Sequence, residues 1–174
     1  VRAQFEAFKR TGLQLDHVNA HNHMHLHPTI FALILKVGRE FNLRAIRIPH
    51  EPLMPSWRAA GNGFLPRFFV WVVLAPWTSL LKLRLRMAGI RTNDFVFGLH
   101  DSGHLTGRLV AGFLKQLPQG VTEIYFHPAT RRCPEINDTM PDYEHEREFE
   151  ALTNKDIKGL VATSGIQRVA FSEL

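Results

Sequence analysis

Five of the chain's ten histidines, His17, His21, His23, His25 and His27, fall within eleven residues. Imidazole is the commonest nitrogen ligand for zinc and related ions, and it exchanges protons near neutral pH. If residues 16–26 are extended, the odd-numbered side chains share one face. If the chain turns helical after Ala20, His21 and His25 share a face instead. Either arrangement gathers two imidazoles. Their place between an apolar strand candidate and a helix start points to metal or catalytic use rather than to a surface histidine tract. The spacing is not that of a zinc finger, because Cys133 is the only thiol. It is not His-Glu-x-x-His either, because no glutamate separates these histidines.

Three further segments carry chemistry-bearing residue types. Glu123-Ile124-Tyr125-Phe126-His127-Pro128 delivers His127 from a short strand, a weak motif taken alone. Arg47 closes another strand and can clamp a carboxylate through two parallel hydrogen bonds, unless it is a surface arginine. Phe97-Gly98-Leu99-His100-Asp101-Ser102-Gly103-His104 follows a third strand, and its glycines and polar residues suit a pocket wall that includes Phe97. His100, Asp101 and Ser102 have the types of a hydrolase triad. Neighbours in sequence rarely reach triad geometry, however, and no Gly-x-Ser-x-Gly elbow is present.

The elements that must position these residues follow from hydrophobic period and punctuation. Apolar spacing predicts a helix over residues 1–9 and another from Pro28 to about Phe41, with Ile30, Phe31, Leu33, Ile34 and Val37 on its apolar face. Strands are expected over 15–20, 43–48, 94–99, 121–126 and 169–171, and helices over 106–117, 142–153 and 154–164. Residues 51–66, rich in Pro and Gly, read as a loop. Residues 68–81 are strongly apolar, but they fall short of the roughly 20 residues a bilayer crossing needs, and Pro76 interrupts them. They read first as a buried helix and second as an interfacial one, the second reading raised slightly by Lys82, Arg84 and Arg86 just after. Alternating strands and helices predict an α/β protein with parallel strands, whose chemistry collects where strands end.

The length of 174 residues suits one domain, and a hydrophobic fraction of 45% can bury a substantial core. The formal charge of +5 is spread along the chain with no nucleic-acid-binding motif, so no nucleic-acid partner is expected. A single cysteine forms no internal disulfide, in keeping with a reducing, cytoplasmic setting. No signal peptide is visible, and Val1 enters what reads as the middle of a helix, so an upstream region is expected to be absent.

The order of motifs is informative. Asp16-His17-Val18-Asn19-Ala20-His21-Asn22-His23-Met24-His25-Leu26-His27-Pro28 is followed by Arg47-Ile48-Pro49, then Phe95-Val96-Phe97-Gly98-Leu99, then Glu123 to Pro128, with Arg147, Glu148 and Glu150 in the tail. This order resembles the YdjC-like carbohydrate deacetylases. The helix start Arg2-Ala3-Gln4-Phe5-Glu6-Ala7-Phe8 is similar to the hopanoid biosynthesis-associated branch. The resemblance implies that residues 1–174 form a single domain, the C-terminal portion of a distorted (β/α) barrel of the glycoside hydrolase/deacetylase type. It implies a divalent metal ion, Mg or Zn, held by an N-terminal aspartate, a histidine of a Gly-x-His segment and the first histidine of the cluster, matched here by His21. The Asp-Asp pair and the Gly-x-His segment are not in this sequence, and Asn19 stands where many relatives carry Asp.

The activity implied is removal of an N-acetyl group from an amino sugar, N-acetylglucosamine on a hopanoid lipid in that branch. The fragment alone would then be inactive. His127 is placed as proton donor or substrate-orienting group and Arg47 as holder of a neighbouring carboxylate. His23, His25 and Phe97 are placed at the substrate. The partner the resemblance implies is an N-acetylated sugar or glycolipid; the apolar and basic residues 68–86 by themselves allow a peripheral contact with the inner face of the membrane. Two other readings stay open: a phosphoesterase on a similar barrel, and a non-catalytic lipid-binding module.

Overall fold

Pro28 opens a helix because its fixed φ suits the first helical position and its missing N–H would have no partner there. In the computed structural model, which describes residues 1–174, that helix is α2 (Pro28–Glu40), preceded by α1 (Arg2–Arg10). The His27 side chain caps α2 by accepting from the Thr29 N–H at 3.3 Å. Phe31, Ile34 and Val37 of α2 are buried, whereas Leu33, expected on the same face, is exposed.

The remaining elements are α3 (Leu53–Ala60), α4 (Phe64–Met87), β1 (Phe95–Phe97), α5 (Gly107–Lys115), β2 (Thr122–Ile124), α6 (Pro134–Thr139), α7 (His145–Thr153) and α8 (Lys155–Thr163). The fold is α/β, rich in helix, with little regular sheet. The chain divides into two compact units. The first comprises Val1–Pro49, Ala75–Asp94 and Arg168–Leu174; the second comprises His50–Leu74 and Phe95–Gln167.

In the first unit the strands expected over 15–20 and 43–48 reduce to parallel single-residue pairings, Val18 with Ile46 and Ala45 with Arg91. The Val18 N–H donates to the Ala45 carbonyl at 3.0 Å, and the Arg91 N–H to the Arg44 carbonyl at 2.8 Å. The expected last strand, 169–171, is not formed; Phe171–Glu173 is a 3-10 turn. The core is Phe5, Phe31, Ile34, Val37, Leu43, Ile46, Ile48, Leu81, Leu85 and Ile90. Each large apolar side chain buried here contributes about 1.5–3 kcal/mol relative to exposure.

In the second unit β1 pairs in parallel with β2, Phe95 opposite Thr122 and Phe97 opposite Ile124. The Val96 N–H also donates to the His50 carbonyl at 3.0 Å. Phe97, Leu105, Val110, Phe113 and Ala151 form the core, with the Phe97 and Phe113 rings stacked at 4.5 Å.

Two expectations about helices are corrected. Residues 51–66 are not a loop throughout, since α3 occupies Leu53–Ala60. Pro52 precedes that helix, and Pro55 lies in its first turn, where amide protons have no intrahelical acceptor. Gly61 ends it in the left-handed conformation at φ 75°. The Pro and Gly residues therefore punctuate a short helix. Pro76, expected to interrupt the apolar stretch, lies inside the continuous 24-residue α4. That helix is long and apolar enough to cross a bilayer by length and composition, although only 22% of its most apolar window is buried.

Candidate functional site

In the first unit the histidine segment is neither strand nor α-helix. Residues His21–Leu26 form a 3-10 turn in which Asn22 and His23 adopt left-handed φ values of 48° and 53°. This conformation is uncommon outside glycine and is tolerated best by Asn, Asp and His. It breaks the helical run within the cluster, and the histidines differ in burial. His21 stays exposed and lines a cavity of about 590 Å³ together with His17, Asn19, Phe5, Leu15 and Ile34. His23 and His25 lie with ring centroids 6.1 Å apart. His27 is the helix cap already described.

His25 is fully buried, and its Nε2 lies 2.9 Å from the Arg47 carbonyl. A carbonyl only accepts, so Nε2 carries the proton and Nδ1 presents a lone pair, which is buried with no hydrogen-bond partner. Arg47 itself is buried, and its N–H donates to the Val18 carbonyl at 3.1 Å. The Trp77 indole N–H donates to the Leu26 carbonyl at 2.9 Å and holds the end of the turn.

Burial pushes the His25 pKa below the ordinary value, against a smaller opposing effect of the Arg47 carbonyl. The folded state therefore binds fewer protons at this site than the unfolded chain does. The resulting stability is fully present above the unfolded pKa of about 6.5 and is lost as pH falls through it toward the folded value. Unfolding free energy, measured in urea at a series of pH values, should decline below about pH 6.5. His25→Gln, which keeps a donor for the Arg47 carbonyl, should flatten that decline.

His17, the first histidine of the cluster, has a different neighbourhood. Its Nδ1 lies 2.8 Å from Asp16 and its ring stacks on Phe171 at 4.3 Å. The other Asp16 oxygen accepts from the Ser172 N–H at 2.7 Å. The hydrogen bond from His17, followed by those from Ser172, holds Asp16 below the usual carboxylate range.

In the second unit His127 follows β2 and is fixed through its backbone. Its N–H donates to Glu148 Oε2, and its carbonyl accepts from His145 Nδ1. Glu148 is fully buried in α7, and its other oxygen accepts from the Leu105 N–H at 3.2 Å. His145 is 3% exposed, and its Nε2 is buried with no hydrogen-bond partner. The Tyr143 ring lies 5.1 Å from that of His127 and 5.7 Å from that of His145. Gly103, at φ 80°, makes room for it, because a Cβ there would stand 2.2 Å from Tyr143 Cγ.

A second buried network lies at the loop after β1. Glu51 Oε2 accepts from the Leu99 N–H at 2.7 Å and from the His100 N–H at 3.3 Å. Its other oxygen accepts from the Ser56 hydroxyl. Arg67, the one buried side chain in the first turns of α4, grips Asp101 with two hydrogen bonds of 3.0 and 2.7 Å and donates to Ser56 Oγ at 2.6 Å. Burial is the main cause that raises the Glu51 pKa, and burial followed by the Arg67 charge lowers that of His100. Arg67 thus makes a bidentate grip on a carboxylate. No triad forms from His100, Asp101 and Ser102, since Asp101 is held by Arg67 and Ser102 Oγ lies 3.0 Å from the Tyr143 hydroxyl.

Phe97 lies in the core at 0% exposure, so its ring packs on Phe113 and not on a pocket wall. Glu148, His145, Glu51 and Arg67 escape a reading of local motifs. The one local signal among them is Arg67, an isolated charge at the head of a long apolar run. No three His, Cys, Asp or Glu side chains gather closely enough to hold a metal ion. Single imidazole donors are present, but these residues do not make a metal centre by themselves.

Residues 1–163 match the family model described as YdjC-like protein. The chain is 25% identical over its whole length to a carbohydrate deacetylase of Brevibacillus brevis, of which it covers 59%. It is 26% identical over 99% of its length to a carbohydrate deacetylase of Vibrio parahaemolyticus, of which it covers 56%. The chain therefore spans somewhat more than half the length of these relatives. A crystal structure from Enterococcus faecalis, described as a cellobiose-phosphate cleavage protein, superposes with a TM-score of 0.67 at 20% identity and covers 98% of this chain and 57% of that one. The family model covers all but the last eleven residues, and the chain belongs to the YdjC-like family.

Proposed function

We propose that the protein carrying this chain hydrolyses the N-acetyl amide of an amino sugar, with N-acetylglucosamine on a hopanoid lipid as the substrate. The observation that carries this reading is the match of the chain, end to end, to two carbohydrate deacetylases. The exposed His21 beside an open cavity and the backbone-anchored His127 supply imidazoles of the kind such a reaction uses. In the reaction water adds to the acetyl carbon, the C–N bond breaks, and acetate and the free amine leave. Amide nitrogen is a poor leaving group until protonated, a task for a positioned imidazole such as His127. Arg47 and the His23–His25 pair would shape the substrate's surroundings.

A divalent ion, Mg or Zn, belongs to this reading as a proposal. His21 would give one ligand, and the others would come from the part of the protein outside these residues, an N-terminal portion that completes a distorted (β/α) barrel.

The test offers the full-length protein an N-acetylglucosaminyl lipid, a chitooligosaccharide and a phosphate ester side by side, with and without a chelator. Acetate release should appear with the sugars. His127→Ala should lower it about a hundredfold, the usual loss on removing a general acid. Cleavage of the phosphate ester alone would overturn the deacetylase reading in favour of a phosphoesterase.

A further inference from the structure

From Phe64 to Val73, the first turns of α4, every large apolar side chain is at least 37% exposed. Leu65, Phe69 and Val73 reach 63%, 65% and 71%. Arg67 alone in that stretch is buried. A core helix shows the reverse, apolar inside and charged outside. An exposed apolar surface of this kind marks an interaction site.

The charge pattern selects the partner. Between Glu51 and Asp94 there is no acidic residue, whereas Arg58, Arg67, Lys82, Arg84, Arg86 and Arg91 all lie there. The end of α4 carries Arg84 and Arg86, both exposed. An apolar, aromatic helix with basic residues and no acids is suited to lipid head groups of negative charge. The helix does not leave the protein to cross the bilayer. Arg67 ties its start to Asp101 and Ser56, and Leu81 and Leu85 near its end are fully buried. We propose that α4 docks the protein on an anionic lipid bilayer, lying in the interface with Phe69, Trp71 and Val73 among the acyl chains.

The proposal is independent of the deacetylase reading and fails separately from it. The experiment is flotation of the full protein with phosphatidylcholine vesicles, with and without phosphatidylglycerol, at low and high salt. The protein should float with anionic vesicles, less so at high salt, and lipids brominated along the acyl chain should quench Trp71 fluorescence. Phe69→Glu combined with Val73→Glu, at exposed positions, should lower vesicle affinity at least tenfold while leaving the circular dichroism spectrum and deacetylation of a soluble sugar unchanged. Arg86→Glu should weaken binding to anionic vesicles and leave binding to neutral ones as it was. Absence of flotation with either vesicle would overturn the proposal, as would equal flotation of the double variant. A dimer that the double variant converts to monomer, without vesicle binding, would overturn it in favour of a second copy on this face.

Discussion

Replacing Arg67 by methionine should lower folding stability by about 3–5 kcal/mol at neutral pH, the usual result of removing one partner from a buried ion pair. The side chains of Arg67, Glu51 and Asp101 are 5%, 3% and 16% exposed. Arg67 Nη1 lies 3.5 Å from Glu51, and Arg67 grips Asp101 directly. Without the guanidinium, two carboxylates remain in a poorly solvated site and repel one another. Burial and the Asp101 charge already raise the Glu51 pKa, and loss of Arg67 raises it further.

The pH dependence has a definite sign. A carboxyl whose folded pKa lies above its unfolded value binds more protons when folded, so its penalty is present at high pH and relieved as pH falls through the folded pKa. The gap between wild type and Arg67→Met in urea unfolding should therefore narrow from pH 8 toward pH 5, values chosen to bracket a raised carboxyl pKa. Adding Glu51→Gln should recover part of the loss, because the two residues share one network. Equal losses at both pH values, with no recovery in the double variant, would show that Arg67 acts by packing alone.

Elements that depend on local pattern were legible in the amino-acid order. The helix expected from Pro28 to about Phe41 is observed as Pro28–Glu40. The segments expected as strands around Phe95 and Thr122 do pair in parallel. What could not be read was set by distant partners or by backbone conformation. The expected strands of the first unit survive only as single-residue pairings, because a strand needs a neighbour and neighbours lie far off in sequence. The histidine cluster gave no means of telling buried His25 from exposed His21. That difference depends on the left-handed pair Asn22 and His23, a conformation the residue types permit without requiring. Likewise Glu148 lies in a charged helical stretch beside Glu146 and Glu150, with nothing to mark it as the buried one.

Glu148→Ala is the second large effect expected, a loss of about 2–6 kcal/mol, because the buried Leu105 amide and the part-buried His127 amide each lose an acceptor at about 1–3 kcal/mol. The carboxylate ties the Leu105 N–H to the His127 N–H, 22 residues further along the chain, from within α7. Glu148→Gln should cost less, about 1–3 kcal/mol, because one oxygen still accepts while the amide nitrogen faces a donor. The measurements are urea unfolding and hydrogen exchange at the two amides, where protection should fall in the order wild type, Gln, Ala.

If His127 is the group that protonates the departing amine, the same order should appear in kcat, with the KM for a soluble sugar little changed. A misplaced acid affects the chemical step, whereas a loosened fold reduces the amount of active protein and can be corrected for by titrating it. Stability that falls in the predicted order while kcat per folded molecule stays constant would leave Glu148 as a structural clamp and remove the main support for His127 as the proton donor.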